Sequence, residues 1–331
     1  MDLTWLDPDH LDPRDVAEAV GVLEAARQVD TPHEPSQTVA LFIADLRHGW
    51  DGTPSLVGVA RNARGRVTGV LEIQLPAWDN THLGTVWPTV DPAARRRGLG
   101  TALFEAGLDR IRAEGRSLVL AFAHDQPATT GFAKAMGLDR ASEEVQRRQD
   151  VRGLDWERLD REYAAAAERA TDYELVRVSG PTPEEMLPDV ARMTAAINDA
   201  PIDDLAVEDE VFTPERIRAF DAARAAHGRR AYRLIARHRD TGELVGHTMV
   251  GVDGERPWLG SQYDTSVLRA HRGHRLGLFL KIGMLRWLAA EEPQLHTIDT
   301  WNAASNDHMI AVNELLGYRV IARSTAWQKR L

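Results

Sequence analysis

The chain has 331 residues, 43% of them hydrophobic, and a formal net charge of −10. That length suits two domains, and the composition excludes wholesale disorder. It contains no cysteine, which excludes disulfides, thiolate metal ligands and a cysteinyl acyl-enzyme. The net negative charge argues against bulk nucleic-acid binding and mildly favours a cationic partner such as an amine.

In chain order, apolar alternation first predicts a strand at Leu3–Leu6. Helices follow at Arg14–Gln28, where Val16, Val20, Leu23 and Ala26 recur at helical spacing, and at Gln37–Leu46. Strands at Leu56–Arg61 and Arg66–Leu75 flank an Asn62–Gly65 turn. A strand at Gly84–Val90, a glycine turn, a helix to Ala113 and a strand at Leu118–Ala123 complete this series. Leu154–Ala170 predicts a charged, alanine-rich connecting helix with a solvated face. The series then recurs: a strand at Tyr173–Val178, helices at Pro183–Asn198 and Pro214–His227, and strands at Ala231–Arg237, Glu243–Val252 and Gln262–Leu268. A helix to Ala290, a strand at Thr297–Thr300 and a short helix at Asp307–Leu316 end it. The expected boundaries are an N-terminal domain at 1–150, a connector at 151–171 and a C-terminal domain at 172–331.

Each copy carries one chemically informative turn. In the first, Val90-Asp91-Pro92 ends a strand, and Arg95-Arg96-Arg97-Gly98-Leu99-Gly100-Thr101 opens a helix. The first helical turn has unpaired N–H groups and a partial positive charge, which together can cradle an anion. The second copy reads Val267-Leu268, then Arg272-Gly273-His274-Arg275-Leu276-Gly277-Leu278, about 177 positions later. No lysine–serine/threonine pair follows either turn, so neither is a nucleotide P-loop, and the Rossmann spacing is missing.

Arg-x-x-Gly-x-Gly after a strand and proline resembles the acyl-CoA pyrophosphate loop of the GNAT superfamily of N-acetyltransferases. The second copy departs from it, with Arg275 where the first glycine is expected. That copy also has Asn302 and Asn306 after a strand, then Asn313 and Gly317-Tyr318, similar to the family's segment that holds the CoA arm. The resemblance implies two tandem GNAT folds, each an α/β (α+β) mixed sheet splayed between its fourth and fifth strands. It implies acetyl-CoA as co-substrate, bound by the two turns with Asn302, Asn306 and Asn313, and no metal. The family's thiolate-protonating tyrosine is replaced by Ala133 and Asn313.

For the chemistry, Asp264 and Tyr263 lie on the second copy's fourth strand, His247 on its third, and Glu72 on the first copy's third. A carboxylate or imidazole there can take the proton an amine must lose. By resemblance, a backbone N–H near Val90 or Val267 polarises the thioester carbonyl. The histidines show no paired helical spacing with carboxylates, which argues against a metal centre. The expected function is transfer of an acetyl group from acetyl-CoA to a primary amine of a small molecule or natural product. The alternative is a non-catalytic acyl-CoA- or ligand-binding protein. A cytoplasmic chain is expected, with no nucleic-acid or membrane partner; a homodimer stays open.

Overall fold

Local chemistry sets most element boundaries in the computed structural model, which describes residues 2–331. Asp12 and Thr38 cap helices α1 (Pro13–Asp30) and α2 (Val39–His48) by accepting N–H groups of Arg14 and Leu41, donors that the first turn leaves unpaired. Strands β1 (Asp2–Trp5), β2 (Leu56–Arg61), β3 (Val67–Gln74) and β4 (Leu83–Val90) pair antiparallel in succession. Helix α3 (Leu99–Ala113) returns the chain to β5 (Leu118–His124), which lies parallel to β4. Helix α4 (Pro127–Ala135) and strand β6 (Asp139–Asp150) follow.

The second series opens with α5 (Trp156–Ala167), the expected connecting helix, and β7 (Tyr173–Ser179). Helices α6 (Leu187–Thr194) and α7 (Pro214–Ala226) precede strands β8 (Arg229–His238), β9 (Leu244–Asp253) and β10 (Leu259–Val267), which pair antiparallel. Then come α8 (Leu276–Glu291), β11 (Thr297–Ala303), α9 (Asp307–Leu315) and β12 (Arg319–Arg330). β10 and β11 are parallel, as β4 and β5 are.

The chain forms two compact units that do not follow a single cut at 150. Unit 1 holds Met1–Glu144, Ile202–Asp209 and Arg323–Leu331; unit 2 holds Val145–Pro201 and Glu210–Ala322. The two strands missing from the sequence prediction account for this. The far half of β12 pairs with β5 from Ser324 to Arg330, completing the sheet of unit 1. The far half of β6 lies beside β11 in unit 2. Each copy thus supplies the last strand of the other. β6 reads Asp-Arg-Ala-Ser-Glu-Glu-Val-Gln-Arg-Arg-Gln-Asp, too charged to show the alternation that marks a strand.

Within unit 1, α1 and α2 cover one face of β2 and β3 through Val16, Val22, Leu46, Val57 and Val70. α3 covers the opposite face through Leu103, Phe104 and Ile111. Unit 2 repeats both layers, with Val190, Met193 and Ile217 on one face and Leu280, Met284 and Leu288 on the other. Among the described residues no helix is long and apolar enough to cross a membrane.

Candidate functional site

Both sheets open at the same place. β4 and β5 pair only from Leu83↔Leu118 to Thr85↔Leu120, and β10 and β11 only from Leu259↔Thr297 to Ser261↔Asp299. Beyond those points each parallel pair diverges, and the turn that opens the following helix stands at the end of the diverging strand.

The two turns share one backbone conformation. In the first, Arg96 (φ 62) and Gly98 (φ 83) are left-handed; in the second, Gly273 (φ 87) and Arg275 (φ 56) are. The glycine has changed places with an arginine, yet the same two positions adopt positive φ. Each second left-handed residue caps its helix without a side-chain bond, and its carbonyl receives the first helical N–H, from Ala102 or Phe279, at 3.0 Å. The earlier amides of the turn are thereby gathered toward one side, as in an anion-binding nest. Replacing glycine by Arg275 therefore preserves the path of the backbone, at a local cost of roughly 1 kcal/mol.

Side chains around the turns divide into props and cations. Arg95 donates from Nε to the Val90 carbonyl (3.1 Å) and bidentately to Asp30 (2.8 and 2.6 Å). Arg272 does the same with the Val267 carbonyl (3.0 Å) and Asp199 (2.5 Å). These two arginines tie the turn to the strand end, and neither Asp30 nor Asp199 was evident from sequence spacing. Arg96 and Arg97 are exposed. In the second turn Arg275 donates to Glu162 at 3.1 Å and His274 Nδ1 lies 3.3 Å from the Arg169 carbonyl. The first turn therefore offers an anion more uncommitted positive charge. Leu99 packs on the core of its unit, and Leu276 and Leu278 are buried in theirs, so these positions can contribute backbone only. Thr101 and Gly277 lie in the first turns of their helices, as Gly100 does.

The three asparagines have different duties. Asn306 caps α9 by accepting the Met309 N–H at 3.2 Å. Asn313, fully buried, donates to Asn302 at 2.8 Å, and its own Oδ1 has no hydrogen-bond partner. In unit 1 the corresponding pair is Ala123 and Ala133, which carry no polar side-chain atoms.

The fourth strands differ most. β4 pairs with β3 without interruption from Gly69↔Val90 to Gln74↔Thr85. β10 pairs with β9 up to Gln262↔Val250 and resumes only at Thr265↔Thr248, so Tyr263 and Asp264 together oppose Met249. This bulge breaks the ladder beside the divergence, and Gln262 Nε2 donates to two of the carbonyls released there, those of Met249 and Tyr263, at 2.8 and 3.2 Å. Just past Val90 and Val267, the amides of Asp91 and Leu268 donate to the Thr68 and Val245 carbonyls. In unit 1 the position opposite Leu71 is Pro88, which has no N–H.

At the bulge, Asp264 Oδ2 lies 2.7 Å from His247 Nε2, and His247 Nδ1 lies 2.7 Å from Arg233 Nη1. The Asp264–His247 contact is short but is not aligned with the ring N–H, so it is a close polar contact rather than a full hydrogen bond. Burial alone would raise the Asp264 carboxyl. The His247 imidazole and the Arg233 guanidinium outweigh that and hold it at about 2. Tyr263 stacks edge-on against Phe220, with ring centroids 5.7 Å apart. Glu72 stands apart from this group, in unit 1. There burial, and next the charge of Asp45, push its carboxyl up to about 7 against the Ser55 hydroxyl that donates to it at 2.9 Å.

Unit 1 also covers the face that unit 2 leaves to this polar group. Leu205, Ala206 and Val207 pack on Leu83, Leu118, Leu120 and Phe122. The strap is pinned by Asn80 with Glu208 (3.1 and 2.7 Å) and by Gln328 with Ala206 and Asp204 (3.0 and 2.9 Å). Trp87 and Phe122 stack across the divergence at 6.3 Å.

The profile described as "Acetyltransferase (GNAT) family" matches residues 22–138. Across the whole chain, a tandem GNAT protein from the clavulanic acid biosynthesis pathway, solved without acetyl-CoA, superimposes with a TM-score of 0.82 and 27% identity, covering 99% of this chain and 98% of its own. Residues 22–138 thus match the GNAT family, and the chain as a whole has the tandem GNAT fold. A GCN5-related N-acetyltransferase from Sphaerobacter thermophilus shares the fold (TM-score 0.65, 15% identity, 99% and 95% covered). Mycothiol acetyltransferase of Clavibacter michiganensis subsp. michiganensis is 41% identical over 105 residues, 31% of this chain. That of Clavibacter sepedonicus is 52% identical over 64 residues, 19% of this chain. The matched stretches span 28% and 20% of the length of those two relatives.

Proposed function

We propose that this tandem GNAT protein transfers the acetyl group of acetyl-CoA to a primary amine of a small molecule, with unit 2 as the transferase and unit 1 as an acyl-CoA-binding partner fold. The observation that carries this is the bulge at Tyr263–Asp264, which unit 1 lacks. It sets a freed stretch of backbone and an ionised carboxylate side by side at the mouth of the diverging strands. The backbone N–H groups there suit the oxyanion that forms as the amine adds to the thioester carbonyl. Asp264 suits the incoming ammonium, orienting it and passing to water both the proton it must lose before its lone pair can attack and the second proton released as the C–N bond forms. The C–S bond then breaks. With Ala133 and Asn313 at the tyrosine positions, the thiolate leaves unaided or takes its proton from solvent, which its intrinsic pKa of about 8.5 permits. Acetyl-CoA would lie with its pyrophosphate on the turn amides and its arm along Asn302 and Asn313.

Unit 1 fits the binding-only alternative. It has the more positively charged turn, but Pro88, the unbroken β4 and the strap over β4–β5 remove the donor, the bulge and the open face. Thiol release from acetyl-CoA across a panel of small amines tests the proposal. Turnover with at least one amine, lost in Asp264→Asn, is expected; CoA binding without turnover on any amine would defeat the enzyme reading.

A further inference from the structure

Four side chains run in line through unit 2: Asp221 on α7, Arg233 on β8, His247 on β9 and Asp264 on the β10 bulge. Asp221 Oδ1 lies 3.6 Å from Arg233 Nη2, and Asp221 Oδ2 accepts the Thr182 N–H at 2.8 Å. Arg233 and His247 are 2.7 Å apart, as are His247 and Asp264. Asp221, Arg233 and His247 are buried, with relative exposures of 6%, 3% and 0%. A guanidinium can only donate, so Arg233 donates to His247 Nδ1. The ring lone pair is therefore on Nδ1 and its hydrogen on Nε2, the atom that faces Asp264.

The first copy shows what the fold needs at these places. Matching the strands through their cross-strand partners, and α2 with α7 through their threonine caps, puts Leu46, Val57, Val70 and Trp87 at the corresponding positions. Leu46, Val57 and Val70 sit in one hydrophobic cluster. The same layers thus form with apolar side chains, and replacing a buried ionic group by apolar ones of similar volume is often neutral or stabilising. Folding accounts for Asp221 through the Thr182 N–H that it accepts but not for the rest of the chain in unit 2, whose partly open end is the bulge.

We infer that Arg233 and Asp221 are positioning residues, which fix the tautomer of His247 so that its N–H faces Asp264 and keep that carboxylate aimed at the break in the strand. This rests on the reading of Asp264 as the group that meets the amine. Without Arg233 the His247 ring is free to move its hydrogen to Nδ1, and Asp264 loses both the N–H that faces it and the nearby guanidinium charge.

The test transplants the residues of unit 1. Asp221→Leu combined with Arg233→Val removes both charges at once, so neither is left buried alone. The double variant leaves the Thr182 N–H without its acceptor and is expected to fold with a thermal midpoint modestly below that of the unaltered protein. Its kcat/KM for the amine should fall at least tenfold with KM for acetyl-CoA unchanged. Ring ¹⁵N spectra, with His247 assigned by comparison with His247→Gln, should change from Nε2-protonated to a mixture of tautomers. Arg233→Lys, which restores a donor, should recover the Nε2-protonated pattern. Failure of the double variant to fold would overturn the inference, because the chain would then be structural. Retention of the tautomer or of turnover would overturn it equally. Absence of turnover in the unaltered protein would count against the enzyme reading alone, since the ring spectra still test the chain.

Discussion

The two pyrophosphate-type turns have nearly the same backbone and different surroundings. Arg95–Thr101 and Arg272–Leu278 place left-handed residues at matching positions and tether their first arginine to a carboxylate on a neighbouring segment, Asp30 or Asp199. What separates them lies one strand back. β4 is unbroken, contains Pro88 and is covered by the 202–209 strap, whereas β10 is bulged and backed by His247 and Arg233. The lesson is that two turns can keep one backbone path while the neighbouring strands diverge, and the proposed division of labour between the units rests on that neighbouring strand.

The largest effect that would break this comparison is kinetic. Asp264→Asn should lower thiol release about 100-fold or more, the scale of a lost general base. Glu72→Gln should leave it within about twofold. The reverse pattern in a coupled thiol assay would move the active site to unit 1.

Next come the turns themselves. Gly98→Trp and Gly277→Trp should each remove one class of CoA site in calorimetry, weakening it by about tenfold or more through bulk at the cradle. The site left by Gly277→Trp should show the steeper salt dependence, because Arg96 and Arg97 remain exposed in the first turn. Unchanged binding in both variants would overturn the cradle assignment.

A smaller effect concerns stability and pH. The folded-state pKa of Glu72 is raised from 4.5 to about 7. The folded chain thus binds the extra proton between those values, and the stability present below about pH 4.5 declines as pH rises through 7. Glu72→Gln should therefore gain on the unaltered protein by about 1–2 kcal/mol at pH 8 and by little at pH 5, read from denaturant midpoints at both pH values. Asp264 has the opposite sign. Its pKa is lowered to about 2, so its contribution is present above about pH 3.8 and disappears only as pH falls toward 2. In unit 2 the crossing near neutrality belongs to the buried Lys281, which burial lowers from 10.5 to about 7. Its sign is opposite to that of Glu72, because stability rises as pH rises through about 7.

The smallest effect sharpens the comparison of backbones. Arg275→Gly should raise the thermal stability of unit 2 slightly, by under about 1 kcal/mol, since the relieved left-handed strain is partly offset by glycine entropy. A clear loss of stability would mean that the Arg275–Glu162 contact outweighs the strain.

Much of this was legible in the sequence. The repeat, the predicted elements up to each short final helix, and the turns all follow from periodicity and glycine placement, which act over a few residues. Asp264, Tyr263 and His247 could be proposed from strand position alone, and the structure brings them to one place while leaving Glu72 in the other unit. The exchanged strands β6 and β12 were not legible, because their charged sequences carry no alternation and their pairing partners lie far away in sequence.

Local chemistry determined that there would be two GNAT-type folds, each with a glycine–arginine turn opening a helix, since caps, turns and hydrophobic period are written within short windows. Only the tertiary structure decided which strand would close which sheet, where β10 would bulge, and that Asp221, Arg233, His247 and Asp264 would meet. Those outcomes depend on contacts between residues tens to hundreds of positions apart, where chain topology rather than local preference fixes the neighbour.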